Sequence, residues 1–218
     1  MDRDGTVLGV FKMEDGTNFS YDIAVQKART AAFFSDDQHA FTPRAIGFMA
    51  QKFFPPGIDT GLRGPLYQFQ DTLSFGPNFA QLLNGKEGQN LDAIPAGYTR
   101  PPLENGVTIF PGGVPLYKNG VFVGGVGVSG DGVDQDDIIA FSGGKGFQAP
   151  ANIRSDVLDR TEAANWIVDK LQSLEAAPGT DFHNSAGELV SDAAKKTILE
   201  GLHETRLPYV KFPRNPHV

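Results

Sequence analysis

Four aspartates crowd one short stretch of this 218-residue chain: Asp131, Asp134, Asp136 and Asp137. Carboxylates this close suggest either a calcium loop or a pair dividing acid and base roles. The twelfth loop position after Asp131 is not Glu, so the EF-hand spacing fails. At the start of a helix the same groups would face the positive end of its dipole, which is the simpler reading. Just upstream, Gly125-Val-Gly127-Val-Ser-Gly130 fits the dinucleotide string G-x-G-x-x-G. It lacks a βαβ context, its first glycines fall inside a strand, and the acidic helix entrance would repel a pyrophosphate. Gly127-Val-Ser129-Gly-Asp131 lacks the last glycine of a nucleophile elbow, so Ser129 reads as a turn or cap residue. The histidines are His39, His183, His203 and His217, and neither Asp181-x-His183 nor His203-Glu204 has the H-E-x-x-H spacing of a zinc site. No metal set is expected, and no nucleophile-base pair emerges. Lys27 and Arg29 share an otherwise neutral helix. The default is a solvated or snorkelling cation, and the sharper alternative is an anion anchor.

The elements that must position these groups can be read from pattern. Asn119-Gly120 separates the apolar runs 114–117 and 121–128, which predicts a hairpin with a type I′ turn. Gly124, Gly125 and Gly127 lie in its second strand, where glycine is a weakness unless a helix, another chain or a flat ligand comes close to the backbone. A helix should begin near Asp134. Residues 3–13 read as a turn and a strand closed by Glu14-Asp15-Gly16, so the fold is under way at residue 3 and an upstream piece is expected to be missing. Ser20 can cap a helix running to about Phe34, with Asp22 in its first turn and Ala24, Ala28, Ala31 and Ala32 as a close-packing face. Residues 41–50 could form a short helix, and 53–57, 64–69 and 84–88 read as loop. A helix is expected over 158–175, with Trp166, Ile167 and Leu171 on one face, and another over 186–203. The proline-rich tail 207–216 should be extended.

Composition sets the outer bounds. The chain is 40% hydrophobic and 21% charged, enough for an ordinary core. Its net charge of −7, with no Lys/Arg cluster, argues against nucleic acid or an anionic membrane surface as partner. Without cysteine it has no disulfide, thiolate metal site or cysteine nucleophile. No apolar run approaches the ~20 residues of a membrane span, and no signal peptide precedes the first strand.

The order of these parts resembles the GlcG/HbpS-like heme-binding (so-called heme-degrading) family. The matching residues are 7–13, Asp22-Ile-Ala-Val-Gln-Lys-Ala28 with Thr30-Ala31-Ala32, and Gly112-Gly-Val-Pro115 through Asp136, about half the chain. The resemblance implies an α/β (α+β) sandwich, profilin-like, with a central, mainly antiparallel sheet flanked by helices. It divides the chain into a family-like domain at 1–146 and a C-terminal helical extension with an extended tail at 147–218. The chain departs from the family in lacking the helix ahead of the opening strand, in a long insertion at about 36–103, and in that extension. A piece of a larger protein fits the first departure. The long decorations look more like those of an extracytoplasmic relative than of a minimal cytosolic one, and the sequence leaves the compartment undecided.

The resemblance also implies a role. A module binding heme or another tetrapyrrole, as a sensor, carrier or accessory and more a binder than an enzyme, is the first expectation; homo-oligomers are common in the family. Heme iron takes His, Tyr, Met or Cys ligands. His39 follows the first helix and is the leading axial candidate, with a plain surface histidine as its default reading. Tyr67, Tyr98 and Tyr117 read as core aromatics first. The ligand-binding candidates are therefore Lys27, Thr30, His39, Phe110, Gly112, Gly113, Pro115, Ser129 and Asp136, with the hairpin glycines as a flat surface and Phe110 as a wall. The alternatives are an enzyme or enzyme accessory acting on a small hydroxy acid, with Lys27 or Arg29 as anchor and Asp136 as acid/base, and a purely structural oligomerisation module.

Overall fold

The computed structural model describes residues 1–51, 107–130, 132–175, 200, 201, 203 and 205–211. The loop segments 53–57, 64–69 and 84–88, Tyr67, Tyr98, Asp131, His183, His217, the side chain of Leu171 and most of the helix expected over 186–203 lie outside these residues.

The described part is an α+β fold of helices and one two-stranded antiparallel sheet. In chain order come α1 (Asn18–Phe33), α2 (Pro43–Met49), β1 (Gly113–Lys118), β2 (Val121–Gly127), α3 (Val133–Gly143), a 3-10 turn (Ala151–Ile153) and α4 (Arg160–Glu175). The hairpin turns on Asn119 (φ 53°) and Gly120 (φ 82°), both in the left-handed region that a type I′ turn demands. β1 and β2 pair from Gly113↔Gly127 to Lys118↔Val121, with an irregularity between Leu116 and Tyr117.

The strand glycines find their reason in α1, which lies across the sheet. A Cβ on Gly125 would sit 2.7 Å from the Ala28 carbonyl oxygen, and one on Gly113 would sit 2.6 Å from that of Lys27. On Gly127 it would collide with the Ala24 carbonyl. The close approach is therefore a helix of the same chain, made possible by its alanines, and the flat surface of these glycines is covered by it.

Two apolar clusters form the core. One gathers Phe34, Phe41, Ile46, Met49, Val107 and Ile167 from α1, α2 and α4. The other joins Val114, Tyr117 and Phe122 of the hairpin to Ala140 of α3 and to Tyr209 and Val210 of the tail. Thr42 caps α2 by accepting from the Ala45 N–H, with proline at the start of the helix, and its hydroxyl donates to the Tyr209 carbonyl. Asp159 does the same for α4 through the Thr161 and Glu162 N–H groups. No helix of the described residues is long and apolar enough to cross a membrane.

Several expectations need correction. Residues 7–13 form no strand. A strand exists only beside a partner, and the nearest edge, that of β2, is reached only by the start of the chain: Asp2 bridges to Gly124 and Met1 exchanges two hydrogen bonds with Gly125. α1 begins at Asn18, two residues before Ser20; its N-cap is Thr17, whose hydroxyl pairs with Ser20 instead of a backbone N–H, and no acidic group stands in its first turn. Lys27 and Arg29 are neither solvated nor snorkelling, since both are buried. Asp134 and Asp136 do stand in the first turn of α3, as expected, but Asp136 and Asp137 are buried and take side-chain partners as well.

Candidate functional site

Two cation-carboxylate groupings carry most of the ionisable chemistry. The first joins α1 to α3. Lys27 Nζ lies 2.8 Å from Asp136 Oδ2 and donates to the Val128 carbonyl at 2.9 Å, and both side chains are almost wholly shielded from solvent. Burial pushes the Lys27 pKa down while the Asp136 carboxylate pulls it back. Gly112, at φ 121°, closes over this pair: a Cβ there would meet the Asp136 side chain and Lys27 Nζ. Next door, the Arg44 guanidinium spans Asp137 (2.6 Å) and Asp134 (2.7 Å), Lys211 pairs with Asp134, and the Lys211 N–H donates to Asp137. Those partners hold the Asp134 carboxyl below the usual range. The crowded aspartates thus tie α3 to α1, α2 and the tail.

The second grouping is built on the turn after α1. Asp36 Oδ1 accepts the N–H groups of Gln38 and His39, each at 2.8 Å, an Asx turn that places the His39 ring back against the same carboxylate at 2.9 Å from Nδ1. That oxygen already acts as an acceptor, so the ring brings a proton at Nδ1; in the neutral imidazole the lone pair then resides on Nε2. The ring lies flat on Trp166 of α4, with centroids 4.2 Å apart and planes 8° apart. Trp166 is itself fixed, its Nε1–H donating to the Phe34 carbonyl at 2.9 Å. From below, the Tyr117 hydroxyl of β1 lies 2.7 Å from the Asp36 carbonyl and 3.0 Å from that of His39. The described ion-pair partner nearest Nε2 is Glu162 at 3.7 Å, a half-exposed side chain.

The predicted residues therefore divide. Lys27, Asp136, Gly112 and Gly113 meet at the sealed pair and its neighbouring helix contact. Thr30 is buried one turn further on, its hydroxyl bridging the Thr108 N–H and carbonyl at 2.8 Å. Pro115 stands within β1 opposite Gly125, and Phe110 packs against the first core cluster. Ser129 lines a groove beside β2. His39 stands apart from all of these. Pattern reading missed Asp36, Trp166, Glu162 and the positioning role of Tyr117. Asp36 with His39 three residues on is an Asx signal open to sequence; the stacking partner, 127 residues away, is not.

The family described as "Haem degrading protein HbpS-like" matches residues 1–144. The chain belongs to the HbpS-like family. No curated protein matches it. Membership gives this HbpS-like chain a heme-related frame. Among its described residues no group of three or more His, Asp or Glu side chains could hold a metal ion as a dedicated site.

Proposed function

We propose that this HbpS-like protein binds heme or a related tetrapyrrole as a non-catalytic sensor, carrier or accessory module, with His39 as the iron ligand. The observation that carries the proposal is the His39 ring itself: Nδ1 is anchored on Asp36, and Nε2 stands 3.7 Å from the half-exposed Glu162 carboxylate. A carboxylate bonded to the far nitrogen in this way fixes the tautomer and orientation of a metal-binding histidine and raises its basicity. Trp166 holds the ring plane and Tyr117 holds the turn, so the ligand is pre-organised before anything binds. Bound heme would supply the iron chemistry; the chain supplies the ligand and its orientation.

The small-acid enzyme has less support. Its intended anchor and acid/base, Lys27 and Asp136, satisfy each other in a buried pair with no room for a substrate carboxylate, and no nucleophile-base pair is found among the described residues. Self-association finds support in the exposed Val121 and Val123 of β2 and Ile138 and Ile139 of α3.

Heme titration followed in the Soret region tests the reading. The expected result is a saturable shift in the parent protein, lost in His39→Ala. A parent protein with no saturable shift, or a His39→Ala variant with the same spectrum, removes it.

A further inference from the structure

The His39 ring is bracketed by carboxylates from two parts of the chain. Asp36, in the turn after α1, lies 2.9 Å from Nδ1, and Glu162, in the first turn of α4, lies 3.7 Å from Nε2. Both polar directions of the imidazole therefore face negative charge. A compensating ammonium, that of Lys170, lies over the Trp166 ring, 4.5 Å from its centroid. It meets the support of the imidazole, whereas the carboxylates stand at its nitrogens. Among these described contacts two carboxylates are set against one ammonium, which leaves a negative balance at the ring.

This balance has a chemical consequence for any metal centre held at Nε2. A carboxylate bonded through Nδ1–H draws that proton toward itself and gives the ring imidazolate character, which favours a metal of higher charge. A carboxylate beside Nε2 adds direct Coulomb attraction for positive charge arriving at that atom. Neither effect does much for a neutral centre. We infer, resting on His39 as the iron ligand, that the site selects its tetrapyrrole by metal charge, with Glu162 as a specificity-determining residue. Ferric porphyrin, whose core carries one net positive charge, is held in preference to ferrous porphyrin, whose core is neutral. The macrocycle and its side arms are identical in the two forms, so apolar contacts cannot make this distinction. Asp36 is already committed to the turn, accepting two backbone N–H groups and the ring. Glu162 is 49% exposed, so solvent screens its charge and its share of the preference is modest, about three- to tenfold. Linkage gives the selection a regulatory sense: a site that prefers the ferric form loses affinity when an external one-electron donor reduces the iron.

Trp166 is the only tryptophan of the chain and lies against His39, so its fluorescence reports occupancy directly. Quenching titrations of the parent and of Glu162→Gln, with ferric protoporphyrin IX and, anaerobically, with its ferrous form, give the dissociation constants. Glutamine keeps the size of the side chain and removes its charge. The parent should bind the ferric form more tightly, and the variant should narrow the ferric-to-ferrous ratio by about three- to tenfold, with ferrous binding changed by less than about twofold. A ratio that is the same in both proteins overturns the proposal. So does a variant that binds both forms more tightly to the same degree, which would make Glu162 an obstacle at Nε2 and not a charge. If the parent binds both oxidation states equally, charge selection falls while the heme reading stands. If neither form quenches Trp166, both fall together.

Discussion

Lys27–Asp136 and His39–Asp36 each set a nitrogen base against a carboxylate, and they differ in how many sides are closed. Lys27 spends its ammonium on a carboxylate and a backbone carbonyl, between α1 and α3, with almost no exposure. His39 has one ring nitrogen fixed and the other, among the described residues, 3.7 Å from a half-exposed glutamate, and 13% of its side chain still meets solvent. A cation with every direction satisfied serves packing, because any ligand must first break a buried pair. A ring nitrogen left unspent, on an imidazole held rigidly by its other contacts, can serve binding. By this criterion the family-like lysine serves packing, and His39 is the residue on which the heme proposal rests.

The largest effect should come from the sealed side. Lys27→Met leaves Asp136 as an uncompensated buried charge and should cost about 3–5 kcal/mol in urea unfolding. Lys27→Met combined with Asp136→Leu should regain most of that loss, since replacing both ions removes the uncompensated charge. If the single variant unfolds like the parent, the pair is open to water and the contrast with His39 collapses.

On the open side the losses should fall on affinity. His39→Ala should abolish the saturable Soret shift while lowering stability by only about 1–2 kcal/mol, the scale of its lost hydrogen bonds. Asp36→Asn keeps the size and the turn but removes the charge behind Nδ1, and should weaken heme about 10–100-fold with the spectrum preserved. Equal affinity in Asp36→Asn would show that the carboxylate orients nothing.

This contrast was only partly visible in the chain itself. The hairpin could be read because Asn119-Gly120 states its turn locally, and α1, α2 and α4 lie within about two residues of their pattern-based limits because capping and periodicity are local too. The failures are non-local. The strand expected over 7–13 depends on a neighbour that residues 1–218 do not place there among the described elements. The aspartates looked like dipole partners because Lys27 lies 109 positions from Asp136 and Arg44 lies 93 from Asp137. His39 could be singled out, but not Trp166 beneath it, since no periodicity connects a turn after the first helix to a helix in the extension.

The smallest effect tests the support beneath His39. Tyr117 is buried, and its ionisation is pushed far above the ordinary value, first by burial and then by the neighbouring Tyr209, Asp36 and Asp37. An unfolded tyrosine starts to lose its proton near its ordinary pKa of 10.0, whereas the folded one keeps it. Between those two values the unfolded state binds fewer protons, so the stability Tyr117 contributes is complete below that ordinary value and is lost as pH rises. Burial raises Tyr209 in the same sense, while Lys27 and Lys170 are lowered and push the opposite way. Those three remain in Tyr117→Phe and cancel in the difference between the two proteins. The variant should lose about 1 kcal/mol at neutral pH, one hydrogen-bonding hydroxyl. Above pH 10 the gap should close by at most ~1.4 kcal/mol per pH unit, one proton's worth. Urea unfolding at about pH 8, 10 and 11 measures it. A gap that stays constant with pH would mean that the hydroxyl is solvated and the Asp36–His39 turn stands without it; a closing gap, with heme affinity falling modestly in the variant, ties the hairpin to the histidine it supports.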